Sequence, residues 1–92
     1  MKKREFEELK LRIIIKLHRR GNIGIPVDFE DFLKINPGIS RNDLYKALKK
    51  LHNMGIVKRW LSNESSFGRW ALNSHTKELW GGLVLKAIKS EK

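Results

Sequence analysis

Between residues 3 and 20, apolar side chains recur at Phe6, Leu9, Ile13 and Leu17. That is the spacing of one helical face, and it predicts a helix within residues 1–21 that closes at Gly21 after the cationic "HRR". Leu11 and Ile15 fall on nearly the opposite side, with Ile14 between the two faces, so this helix has apolar surface for two partners. Ile25 to Val27 is short, extended and contains a proline, which predicts an edge strand. Asp28 then caps a short helix over 28–36 whose Phe29, Phe32 and Leu33 share a face, and Asn36-Pro37-Gly38 ends it.

Ser40 caps a third helix over 40–55, with Asp43 at the capping-box position; Leu44, Ala47, Leu48 and Leu51 form its inner stripe and Met54-Gly55 closes it. After Gly55 the period drops from about four to two. "IVKRWLS" and "FGRWALN" read as strands joined by the polar turn "NESS", so residues 56–72 form a hairpin. From Ser74 to residue 91 a last helix places Leu79, Trp80, Leu83, Val84, Ala87 and Ile88 largely on one side. Gly81-Gly82 interrupts it at about 1 kcal/mol per glycine relative to alanine, which predicts a kink or two closely packed backbones. The order is α-β-α-α-β-β-α: an α+β, mainly α, single domain over residues 1–92.

Composition changes this picture in two ways. The chain has 92 residues and a formal net charge of +10, far from a balanced surface, and this points to a polyanionic partner. It has no cysteine, which excludes disulfides, thiolate metal sites and thiol catalysis. The charged start "MKKREFEELK" lacks the clean apolar run of a secretory signal, and no segment approaches the roughly 20 apolar residues of a membrane span. The expected setting is the cytoplasm, associated with the nucleoid, with no membrane partner. Glutamine is absent while Lys, Glu and Ile are plentiful, a tilt toward thermophilic sources that six asparagines oppose.

The charge is concentrated. From Ser40 to Trp60 there are six cations (Arg41, Lys46, Lys49, Lys50, Lys58, Arg59) against one acid, Asp43, so +5 of the +10 lies in less than a quarter of the chain. With Leu44 and Leu48 inward, Asn42, Lys46, Lys49 and Asn53 lie on the opposite face, flanked by Tyr45 and Lys50. A lysine-rich outer face is by itself most often only a solvated face. A major groove nevertheless admits such a helix; asparagine bonds adenine in bidentate fashion, and lysine reaches guanine acceptors or phosphates.

Two helices joined by a short turn, the second of them basic, followed by a hairpin, is the layout of a winged helix-turn-helix domain. At residue level "LHNMGIVKRW…GRWALNSHTKEL" resembles winged-helix regulators of the archaeal and bacterial MarR, PadR and ArsR type. The matching positions are Leu51, Gly55, Ile56, Val57, Arg59, Gly68, Arg69, Trp70, Leu72, Asn73 and Leu79. The likeness spans about residues 10 to 80. Asn73 stands where those families usually have threonine, and Thr76 where they usually have glycine.

The resemblance implies a double-stranded DNA-binding protein contacting DNA through Arg41, Asn42, Tyr45, Lys46, Lys49, Lys50 and Asn53, with Arg59, Ser65, Ser66 and Arg69 on the wing. Trp60 and Trp70 read as packing between wing and core; if both were exposed, single-stranded binding would enter. The asparagine-tyrosine pair and proline-rich wing of left-handed-duplex binders are missing, since Tyr45 and Lys49 occupy those helix positions.

A core of this size is not expected to bury all of Leu11, Ile14, Ile15, Trp80, Leu83, Val84, Leu85 and Ile88. They predict a homodimer through the first and last helices, on a pseudo-palindromic site. The expected role is transcription regulation. The alternatives are a DNA segregation (plasmid partition) or DNA-coating protein, and a winged-helix module for RNA or protein. His18, His52 and His75 are scattered, no phosphate-cradling glycine loop is present, and Glu5, Glu7 and Glu8 read as first-turn dipole partners. No catalytic residue, metal or cofactor is expected.

Overall fold

The computed structural model describes residues 2–61 and 66–90. The elements are α1 (Lys3–Arg19), β1 (Val27–Asp28), α2 (Phe29–Lys34), α3 (Arg41–Asn53), β2 (Val57–Trp60), β3 (Arg69–Leu72), a 3-10 turn (Ser74–Thr76) and α4 (Lys77–Ser90). This is an α+β chain, mainly helical, with one three-stranded antiparallel sheet in the order β1-β3-β2. The expected turn at 63–66 falls mostly outside the described residues.

Local chemistry sets the helix boundaries. The Asp28 carboxylate accepts from Glu30 N at 3.0 Å and starts α2; Ser40 Oγ accepts from Asp43 N at 3.1 Å and starts α3. Asn36 closes α2 from inside the fold, its Nδ2 donating to the Phe32 carbonyl at 2.6 Å. The edge strand pairs at Val27–Asp28, one or two residues later than expected at Ile25 to Val27. Pro26 has no N–H to give the ladder, and Ile25 projects into solvent.

The last helix also starts later than its apolar pattern indicates. Asn73 Oδ1 accepts from His75 N at 3.0 Å, and Thr76 Oγ1 donates to the Gly55 carbonyl at 2.7 Å. These bonds fix a 3-10 turn against the end of α3, and regular α-helix begins only at Lys77. Trp80 Nε1 completes the joint by donating to Asn73 O at 2.9 Å. Helix α4 then runs without interruption through Gly81 and Gly82. A close backbone approach does not explain the pair, since a Cβ on Gly82 would meet nothing within 4 Å and one on Gly81 only Lys77 Cγ at 3.8 Å.

Helix α1 is the centre of the packing. Leu9, Ile13 and Leu17 face α3 and the sheet, joining Phe29, Phe32, Leu44, Leu48, Leu51, Trp70 and Leu72 in one core. Its second apolar side is covered by α4, which brings Trp80, Val84 and Ala87 inward. This corrects the expectation for Ile14, Ile15, Trp80 and Val84, which are 1%, 6%, 2% and 4% exposed in the single chain and so are already satisfied without a second copy. The reason is geometric: α4 folds back along α1 instead of extending from the domain. Leu11 and Leu83 are half-buried, while Leu85 and Ile88 remain 63% and 40% exposed on the outer side of α4.

Candidate nucleic-acid interface

The third helix divides as its period requires. Leu44, Ala47 and Leu48 have no solvent exposure and Leu51 almost none. Asn42, Lys46, Lys49, Lys50 and Asn53 are exposed on the outside. Asp43, the only acid of α3, is half-buried at its first turn, where its backbone N–H is tied to Ser40. The outer face therefore presents amide and ammonium groups and no carboxylate.

Tyr45 joins this face to the hairpin. It is half-buried, edge-on to Phe67 at 5.1 Å, Phe29 at 6.2 Å and Trp70 at 6.2 Å between ring centroids. Phe29 and Phe67 stack at 4.5 Å. Two cations then lie over the Tyr45 ring: Lys49 Nζ from α3 at 5.5 Å and the Arg59 guanidinium from β2 at 5.6 Å. A ring quadrupole attracts both, which brings positive charge from two elements to one ring. Tyr45 is thus a platform beneath the cations more than a groove contact of its own.

Arg59 is held at three points. Its guanidinium also lies 5.1 Å from the Trp70 ring, and Nη2 donates to the Ser66 carbonyl at 3.0 Å. Its Nε is buried with no hydrogen-bond partner among the described residues. Gly68 makes room for it: a Cβ there would stand 3.1 Å from Arg59 Nε and 2.7 Å from the Trp60 carbonyl oxygen. With φ at +79°, that position is doubly reserved for glycine.

The two hairpin arginines do not act together. Arg59 pairs with Trp70 and Trp60 with Arg69, so strand alternation sends Arg59 toward α3 and Arg69 to the opposite side of the sheet. There Arg69 is exposed beside Trp60 and across from Asp28 on β1, and Lys58 Nζ lies 5.5 Å from the Trp60 ring. Arg41 is also less available than expected. It is ion-paired with Glu30 of α2 and its guanidinium sits 5.5 Å from the Phe67 ring, so its charge is largely balanced within the chain.

Ser66 is exposed, with its carbonyl engaged by Arg59; Ser65 lies outside the described residues. Trp70 is fully buried, its Nε1 donating to Phe67 O at 2.9 Å, and Trp60 is half-buried. The pair of exposed tryptophans that single-stranded binding needs is therefore not present. Sequence reasoning overlooked Phe67 as the second wall of the Tyr45 platform, and Glu30 as the partner of Arg41. An aromatic just before Gly68 was a visible signal for the first, but nothing local signalled the second.

Among the described residues no group of His, Cys, Asp and Glu is placed to hold a metal ion, and no helix is long and apolar enough to cross a membrane. Compared with protein-family models, curated proteins and solved structures, the chain gives no match.

Proposed function

We propose that this chain is a winged helix-turn-helix protein that binds double-stranded DNA, with α3 as recognition helix and the β2–β3 hairpin as wing. One observation carries the reading. The acid-free outer face of α3 is continuous with the hairpin through the Tyr45 ring, over which Lys49 and Arg59 both lie. A helix of this width enters a major groove, where Asn42 and Asn53 are base-reading candidates and Lys46, Lys49 and Lys50 reach phosphates or guanine. Arg59 supplies fixed charge at the junction, while Arg69 and Lys58 on the far side of the hairpin meet the flanking backbone.

The simplest biological role is transcription regulation at a pseudo-palindromic site. A homodimer would place two α3 helices about 34 Å apart, in successive major grooves. Its contact surface is the flank of α4 where Leu85 and Ile88 are exposed; Leu83, two residues from Leu85 and so on the opposite flank, lies with Leu11 beside α1. Selecting bound fragments from a random duplex library at moderate salt, then footprinting the best at rising protein concentration, tests the proposal. A recovered motif with two half-sites one turn apart supports a dimeric regulator. Spreading from the site replaces regulation by partition or coating, and equal retention of RNA and random duplex overturns sequence-preferring DNA binding.

A further inference from the structure

A second cationic feature lies away from α3. Between α1 and α4 runs an open groove of about 460 Å³, within the range of small-molecule sites. Its floor is aliphatic, made by Leu11, Ile15 and Ala87, and its walls carry Arg12, Lys16, Arg19 and Lys86. The one acid among the lining residues, Glu8, has Arg4 3.8 Å away outside the groove. We propose that this groove binds a medium-chain aliphatic carboxylate, its chain along the floor and its head group against Arg12 and Lys16.

The occupant follows from chemistry. Lys16 is half-buried, and its Nζ donates to the Ile35 carbonyl at 2.6 Å. Desolvation by burial, and then the neighbouring Arg12 charge, hold its pKa below the ordinary lysine value. An anion at the groove relieves that repulsion and accepts from an N–H of the ammonium that Ile35 does not use. The floor offers methyl and methylene groups and no aromatic ring, which favours an alkyl chain over a stacked base or arene. A second copy of the chain is disfavoured, because its like-charged walls would oppose these. The proposal is independent of the nucleic-acid reading, since none of its residues lies on α3 or the hairpin.

Calorimetric titration with decanoate, kept below its micellar concentration, tests the site on the full chain. Saturable one-to-one binding is expected, weakening roughly two- to fourfold for each methylene removed down to hexanoate. Arg12→Gln, an exposed substitution that leaves the core intact, weakens it about tenfold or more, the scale of one lost charge-assisted hydrogen bond. Lys16→Gln gives the same direction, and decanol fails to bind. Absence of saturable binding overturns the proposal, as does affinity indifferent to chain length. So does loss of binding in Lys46→Ala plus Lys49→Ala with Arg12→Gln unaffected. Displacement of decanoate from the wild-type chain by a short duplex, with the duplex's own affinity lowered by Arg12→Gln, would make the groove a nucleic-acid surface and overturn it too.

Discussion

Replacing Lys46 and Lys49 by alanine removes two ammonium groups from the outer face of α3 and leaves its inner stripe untouched, since Leu44, Ala47 and Leu48 are fully buried on the other side. The fold should therefore survive. Lys49 loses its position 5.5 Å from the Tyr45 ring, an exposed cation–π contact of about 0.5–1 kcal/mol, and alanine's better helix propensity offsets part of that. If each chain of a dimer neutralises about four phosphates, the logarithm of affinity falls with that of salt at a slope of about −7. Removing two contacts per chain brings the slope to about −3.6. Between about 50 and about 200 mM salt, the wild type then loses roughly four decades of affinity and the variant roughly two. Fluorescence anisotropy of a labelled duplex over a salt series measures both slopes, with thermal unfolding as the control for folding. An unchanged slope in the variant, or a wild-type slope near zero, refutes the electrostatic argument. A control variant, Arg4→Ala plus Lys89→Ala, removes the same charge from exposed positions on α1 and α4 and should leave the slope near the wild-type value.

Three further outcomes follow from the packing. Gly82→Ala should stabilise the chain by about 0.5–1 kcal/mol, because a Cβ there meets nothing within 4 Å, and differential scanning calorimetry should register a rise of a few degrees. Gly68→Ala should destabilise by about 1–3 kcal/mol, since φ is +79° and the new Cβ would stand 2.7 Å from the Trp60 carbonyl oxygen; chemical denaturation reads the loss. Lys16 has a folded-state pKa below its unfolded value, so the folded chain binds fewer protons and its stability rises as pH climbs from the lowered pKa toward 10.5. Denaturation midpoints across that window should rise more for the wild type than for Lys16→Met, and equal pH dependence would show that Lys16 does not contribute.

The inner stripes of α1, α2 and α3 were legible from spacing alone, because burying an apolar stripe is a matter of phase along one helix and needs no knowledge of the neighbour. The capping roles of Asp28 and Ser40 were legible for the same reason: donor and acceptor lie two or three residues apart. The pairing of Arg41 with Glu30 was not, since it joins residues on different helices. Nor was the division of the hairpin arginines. Alternation along each strand is visible in the sequence, but the register that sets Arg59 beside Trp70 and Arg69 beside Trp60 comes from the pairing of the strands.

The second apolar face of α1 marks the boundary between the two kinds of information. Its sequence established that Leu11, Ile14 and Ile15 needed cover, because hydrophobic periodicity reports that a surface must leave water. It could not say whether α4 of the same chain or a second copy supplies that cover, since burial is non-directional and rewards either. The tertiary structure decided it through the hydrogen bonds of Asn73, Thr76 and Trp80, which aim α4 back along α1, close the face over Ile14 and Ile15, and leave Leu85 and Ile88 outside.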